Sequence, residues 1–167
     1  MNSKKLFIYS LICKFLPPSQ CNKFKASLLR WCGAKVGKNV MIMSSAKFLG
    51  NMDLVIGDCV FIGHDAFIMG TKGSRITISD NAKIGSRCIL VTGYHRFTPE
   101  GPCIEGEGLH ADIIIEQGAV ISTMSIINPG KTIGRMSHVM AGSVVTHDVS
   151  EYTRVAGVPA REVKKFR

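Results

Sequence analysis

The chain has 167 residues, 46% of them hydrophobic but only 7% aromatic, and a formal net charge of +9. This length and composition fit one domain with an aliphatic core, and 17 glycines argue for many tight turns rather than a compact helical protein. No helix-turn-helix, zinc-finger or RNA-binding aromatic motif accompanies the basic charge, so nucleic acid is disfavoured as a partner; the charge alone suits a solvated face, a membrane surface or an anionic cofactor.

The N-terminal run MNSKKLFIYSLICKFLPPSQ begins like a signal peptide, with Lys4 and Lys5 before an apolar stretch. Lys14 interrupts that stretch, no small-residue cleavage site follows, and it is too short to span a bilayer. It reads instead as a helix with Leu6, Phe7, Leu11 and Phe15 on one face, ended by Pro17 and Pro18. A second helix is expected from Asn22 to Trp31, ending at Gly33. This leader, residues 1–35, is expected to pack on the main domain or a partner subunit, with peripheral contact at a membrane surface as the alternative. Six cysteines (Cys13, Cys21, Cys32, Cys59, Cys88 and Cys103) form no CxxC pair and have no metal-like spacing. They read as reduced, small hydrophobes of a cytoplasmic protein, one that works in the open cytoplasm or at the inner face of the membrane.

From Val36 a repeat of six sets in. Branched or bulky apolar anchors fall at Val36, Ile42 and Phe48, then Ile56, Ile62 and Ile68, then Ile78, Ile84 and Leu90. After an interruption they resume at Ile115, Ile121, Ile127, Ile133, Val139 and Val145. A glycine often follows the anchor (Gly37, Gly57, Gly63, Gly85, Gly134), where it is expected to permit a bend. Four residues after the anchor the side chain is small or β-branched: Val40, Ala46, Val60, Ala66, Ala82, Cys88, Ala119, Ser125, Ser137, Ser143, Val149. This is neither the helical period nor strand alternation. It asks for a short extended segment and a turn, repeated, with three segments per triangular coil. About five such coils, stacked as a solenoid, fit between Val36 and Ser150. The β-helix is expected over residues 36–153, with residues 154–167 as a C-terminal tail.

The interruption, Thr92 to Asp112, is too long for a turn and is expected to protrude as a loop. His95 stands at its start. The C-terminal run VMAGSVVTHDVSEYTRVAGVPAREVKK completes the pattern.

The six-residue frame and this C-terminal run together resemble the hexapeptide-repeat acyltransferases. Their runs of Ala-Gly-Ser, Val-Val-Thr, a basic-Asp pair and Ala-Gly-x-Pro-Ala-basic are similar. The resemblance extends from Val36 to Phe166, and LLRWCGAKVGKNV is similar to the leading segment of acetyltransferases that modify capsular and other cell-surface sugars. It implies an all-β solenoid, a left-handed parallel β-helix, working as a homotrimer with its active sites between subunits. It implies O-acetyl transfer from acetyl coenzyme A to a saccharide acceptor, without metal, by direct attack on the thioester. His95, at the root of the loop, would be the general base. The Thr123 backbone N–H would contact the acetyl group. Here the chain departs from the family: Val120-Ile121-Ser122-Thr123 replaces Trp-Ile-Gly-Ser/Ala, and Lys131 replaces valine or threonine. A reshaped acceptor pocket and an inactive homologue are both compatible with that. The pantetheine arm would run along backbone groups near Ala141, Gly142 and Ser143, then Thr146. The phosphates would meet His147, Arg161 and Lys164, with His147 standing where lysine is usual. For the acceptor, His64 and Asp65 flank the position of a family asparagine (Gly63 here), and His110 ends the loop; exposed turn residues are the plainer reading of His64 and Asp65. His138 reads as an exposed repeat position.

Two other readings use the same solenoid. IGHDAFIM resembles the zinc motif of gamma-type carbonic anhydrases, but Met69 replaces the second histidine, and three-histidine zinc needs all its ligands. A non-catalytic scaffold is the other, supported by the altered Val120–Thr123 segment.

Overall fold

The computed structural model describes residues 1–167. Two helices, α1 (Ser3–Cys13) and α2 (Asn22–Trp31), precede five coils of three short strands each. The first coil is β1 (Lys35–Val36), β2 (Met41–Ile42) and β3 (Lys47–Gly50); the second is β4 (Asp53–Ile56), β5 (Phe61–Ile62) and β6 (Phe67–Gly70). The third is β7 (Arg75–Ile78), β8 (Lys83–Ile84) and β9 (Ile89–Val91). A hairpin, β10 (Gly93–Phe97) and β11 (Glu105–His110), then leaves the body. The coils resume with β12 (Ile113–Ile115), β13 (Val120–Ile121) and β14 (Ile126–Ile127), then β15 (Thr132–Ile133), β16 (His138–Val139) and β17 (Val144–Val145). Finally β18 (Thr153–Gly157) extends the second sheet in parallel, and β19 (Ala160–Lys165) folds back antiparallel on it.

The three strands of a coil belong to three different sheets, so the body is a three-sided prism. One side is β1-β4-β7-β12-β15, the next runs from β2 through β5, β8, β13 and β16 to β18, and the third is β3-β6-β9-β14-β17. Each anchor lies in register on the anchor of the next coil: Val36 on Ile56, Ile56 on Ile78, Ile78 on Ile115, Ile115 on Ile133. All the anchors from Ile42 onward are buried, as is every small residue four positions later. Val36 alone is half-buried. The stack is thus one continuous aliphatic column in which each coil removes the next from water.

The glycines after the anchors act differently from the expectation. Their φ angles are ordinary, and the left-handed residue of each turn lies two positions further on, at Asn39, Cys59, Asp65, Asn81, Arg87, Met124 and Met136, with φ between 53° and 62°. The glycines are needed because the next coil lies against them. A Cβ on Gly63 would stand 2.7 Å from the Ser86 nitrogen, and one on Gly134 would stand 2.5 Å from the Glu151 nitrogen. Close coil stacking, not the bend, selects glycine there.

The helices close the first coil, α1 against β3 and α2 against β1 and β2. The α1 face toward the core is Leu6, Tyr9 and Cys13, with the Tyr9 ring edge-on to Phe48 at 5.8 Å. Of the expected face only Leu6 is buried; Phe7, Leu11 and Phe15 point to solvent. Both sets recur at helical spacing, and the smaller, flatter one fits against the coil. Of the cysteines, Cys13, Cys32 and Cys88 are buried as small hydrophobes, while Cys21, Cys59 and Cys103 are exposed.

Candidate active site

Every departure from the step of six falls at one corner of the prism, between the third side and the first. Residues Gly50–Met52 widen that corner after β3, Gly70–Gly73 widen it after β6, and the hairpin emerges from it after β9. Its root is held by buried Thr92, whose Oγ1 lies 2.7 Å from Ser74 Oγ and accepts from the Thr71 N–H at 3.3 Å. The Ala111 N–H closes the base on the Thr92 carbonyl at 2.9 Å. His110 lies over the widened corner of the preceding coil, its Nε2 3.0 Å from where a Cβ on Gly73 would be. It braces the hairpin root.

His95 lies where the hairpin register slips, between the His95–Gly108 and Phe97–Glu105 pairs. Such a bulge re-aims a side chain. The His95 ring is exposed; Nδ1 lies 3.1 Å from the Gly106 carbonyl oxygen and Nε2 3.5 Å from a Glu105 carboxylate oxygen. A carbonyl oxygen can only accept, so Nδ1 carries a proton there, and in the neutral ring Nε2 holds the lone pair.

The neighbouring corner, between the second and third sides, stacks the other candidate residues. His64 and Asp65 follow β5, Ser86 and Arg87 follow β8, Thr123 follows β13, and Ala141 and Gly142 follow β16. The Arg87 N–H donates to the His64 carbonyl at 2.7 Å, the Met124 N–H to Ser86 at 2.9 Å, and the Gly142 N–H to Thr123 at 3.0 Å. The N–H groups of His64, Ser86, Thr123 and Ala141 find no acceptor in the chain. On the corner between the first and second sides, carboxylates cap three of the five corresponding groups: Asp58 takes the Lys38 N–H, Asp80 the Asp58 N–H and Glu116 the Arg135 N–H, while those of Asp80 and Gln117 also find no acceptor. An edge of unpaired donors is a place for an incoming acceptor oxygen.

The structure thus gathers His64, Asp65, Thr123, Ala141 and Gly142 on one edge and puts His95 and His110 on another. His64 Nδ1 is 3.2 Å from Ser45 Oγ, and Asp65 faces Arg87 at 3.8 Å. Ser143 is buried, with its hydroxyl accepting from the Gly157 N–H at 3.2 Å, so its side chain is committed to the fold. Thr146 and His147 fall on the hairpin's corner, bonded to each other at 2.9 Å. A shallow cavity of about 350 Å³ brings His147 together with Arg161, beside Asp148 and Glu162. Lys164 does not line it and stands over the Phe166 ring at 5.9 Å. No three His, Cys, Asp or Glu side chains are grouped to hold a metal.

One pairing is not visible along the sequence. His138 is half-buried rather than exposed, and its Nε2 lies 2.8 Å from Ser122 Oγ, beside Thr123. Burial, then the Arg154 charge, pushes the imidazole below the ordinary histidine range. The signal was the coil itself: Val120 lies in register on His138, which brings residue 122 within reach.

The comparisons agree with this fold. No protein-family model matches the chain. It is 31% identical over 148 residues to WcaF of Escherichia coli K12, named for acetyl transfer in colanic acid biosynthesis; the match spans 89% of this chain and 78% of that one. The chain belongs to the hexapeptide-repeat acetyltransferases. Galactoside O-acetyltransferase of Escherichia coli K12 is likewise 31% identical, over 89% of this chain and 71% of its own. Among solved structures, a hexapeptide-repeat acetyltransferase of Vibrio cholerae superposes with a TM-score of 0.81 at 26% identity, covering 99% of this chain and 90% of that one. Galactoside acetyltransferase in complex with coenzyme A superposes with a TM-score of 0.76 at 25% identity, covering 99% and 80%. The protruding hairpin and the bare-donor edge are where the candidate residues His95 and Thr123 lie.

Proposed function

We propose that the protein transfers the acetyl group of acetyl coenzyme A to a saccharide hydroxyl, in a cell-surface polysaccharide or its precursor, with His95 as general base. The observation that carries this reading is the placement of the exposed His95 ring at the hairpin root, with Nδ1 3.1 Å from the Gly106 carbonyl oxygen, so that in the neutral ring Nδ1 holds the proton and Nε2 the lone pair. A sugar hydroxyl attacks the thioester carbonyl carbon while Nε2 takes its proton. The Glu105 carboxylate, 3.5 Å from Nε2, faces the charge that develops on the ring. The unpaired Thr123 N–H is available to the tetrahedral oxyanion. The carbon–sulfur bond then breaks, the ester remains on the sugar, and the imidazolium returns the proton to the departing thiolate.

His95 and Thr123 occupy different edges of one prism, so a site containing both needs the hairpin of one subunit against the bare-donor edge of another. That supports a homotrimer. Ala141, Gly142 and Thr146 would guide the pantetheine arm, and His147 and Arg161, with Lys164 in the tail, would meet the phosphate end. His64 and Asp65, below Thr123 on the same edge, would face the acceptor. The likeness to WcaF and to galactoside O-acetyltransferase supports a sugar.

The test is thiol release from acetyl coenzyme A in the presence of galactosides, other hexosides and nucleotide sugars. Release that depends on one sugar class supports the reading. A folded protein that binds acetyl coenzyme A and acetylates none of them refutes the saccharide acceptor, and one that fails to bind it at all is a scaffold.

A further inference from the structure

We infer that the helical end of the molecule docks on an anionic lipid bilayer. The net charge of the chain is +9, and no Asp or Glu precedes Asp53. Nine Lys and Arg residues do precede it, so the rest of the chain, with twelve of each sign, is neutral. The whole positive charge therefore sits on the two helices and the first coil. Three of these cations are engaged: Lys5 over the Trp31 ring at 4.7 Å, Lys25 buried against the Pro18 carbonyl at 3.1 Å, and Arg30 on the Val36 and Gly37 carbonyls. Lys4, Lys14, Lys23, Lys35, Lys38 and Lys47 are exposed.

The same end exposes the apolar side of α1 that the fold leaves unused. Lys4, Phe7, Ile8, Leu11, Lys14 and Phe15 recur at helical spacing on one face. Phe7 is 70% and Phe15 83% exposed. Beside them a cavity of about 390 Å³, lined by Phe7, Phe48 and Leu49, is flanked by Lys14 and Lys47. An apolar helix face rimmed by lysines is the combination that holds a helix in the headgroup region, where neither term suffices alone. A second copy of this chain is the poorer occupant, because two such ends would meet with like charge and no carboxylate between them. No helix is long and apolar enough to cross a membrane, so the contact is peripheral. This inference rests on the helical end alone and stands whether or not His95 is the base.

The experiment is co-sedimentation of the full chain with phosphatidylcholine vesicles and with vesicles that also contain phosphatidylglycerol, at low and high salt. Binding is expected only to the anionic vesicles, weakening with salt. Phe7→Ser with Phe15→Ser, and separately Lys4→Glu with Lys14→Glu, should each lower partitioning at least about tenfold. Thermal melting and acetyl coenzyme A binding, measured in parallel, should not change. Equal binding to both vesicle types, no binding, or partitioning unaltered in both variants overturns the inference. So does a change of oligomer mass in either variant, because it would assign this face to a subunit contact.

Discussion

His95 is exposed, so its chemistry depends on what holds the ring rather than on a buried pocket. The Gly106 carbonyl holds Nδ1, and under the proposed role of His95 as base, His95→Ala removes the acceptor for the hydroxyl proton. Turnover should fall by about two to four orders of magnitude with the affinity for acetyl coenzyme A little changed; a rate unchanged with a verified acceptor would remove the assignment. Ser122 and His138 give a second, independent readout. His138 is held below its ordinary range by burial and by Arg154, so the unfolded chain binds that proton more readily than the folded one. The stability contributed by neutral His138 is complete above the ordinary histidine range and is lost as pH falls below about 6.5 through the folded value. His138→Gln keeps a partner for Ser122 without titrating. Its melting temperature should fall less steeply with acidification than that of the parent, and parallel slopes would contradict this.

At the scale of the element, the turn between two strands separates two demands that sequence reading merges. The residue after the anchor must be small because the next coil lies on it; the residue two further on must tolerate a left-handed backbone. Gly134→Ala drives a Cβ into the Glu151 and Val149 backbone and should destabilise the fold by about 1–3 kcal/mol. Cys59, exposed at φ 57°, should gain up to about 1 kcal/mol from Cys59→Asn, because asparagine accepts that conformation more readily. Denaturant melts of the two variants check both signs, and a neutral Gly134→Ala would show that the coils can separate without cost. The six-residue frame was legible because the residues that stack are the ones that recur, and Ile78 or Val139 needs no distant information. The buried face of α1 was not legible, because Leu6, Tyr9 and Cys13 and the rival set Phe7, Leu11 and Phe15 both satisfy the helical period. The hairpin was legible only as a break: GYHRF and EGEGLH lack an apolar alternation, and their pairing is set by the Thr92 root and by each other. The edge of bare N–H groups could not be read at all, since it depends on which coils supply carboxylates to their neighbours.

The whole molecule is a three-sided column whose edges differ. One is capped by carboxylates at three of its five turns, one carries free donors at His64, Ser86, Thr123 and Ala141, and one carries the hairpin with His95. A single chain leaves the last two apart, so sedimentation should find three chains per particle in solution, and a stable active monomer would contradict the shared site. We propose that these edges together hold the thioester for attack by a sugar. Calorimetric titration of the purified full chain with acetyl coenzyme A tests it most directly. The account predicts saturable binding at one site per chain, weakened by Arg161→Ala combined with Lys164→Ala. A folded trimer that takes up no acetyl coenzyme A would contradict it and leave a solenoid that has kept the architecture of an acetyltransferase without its chemistry.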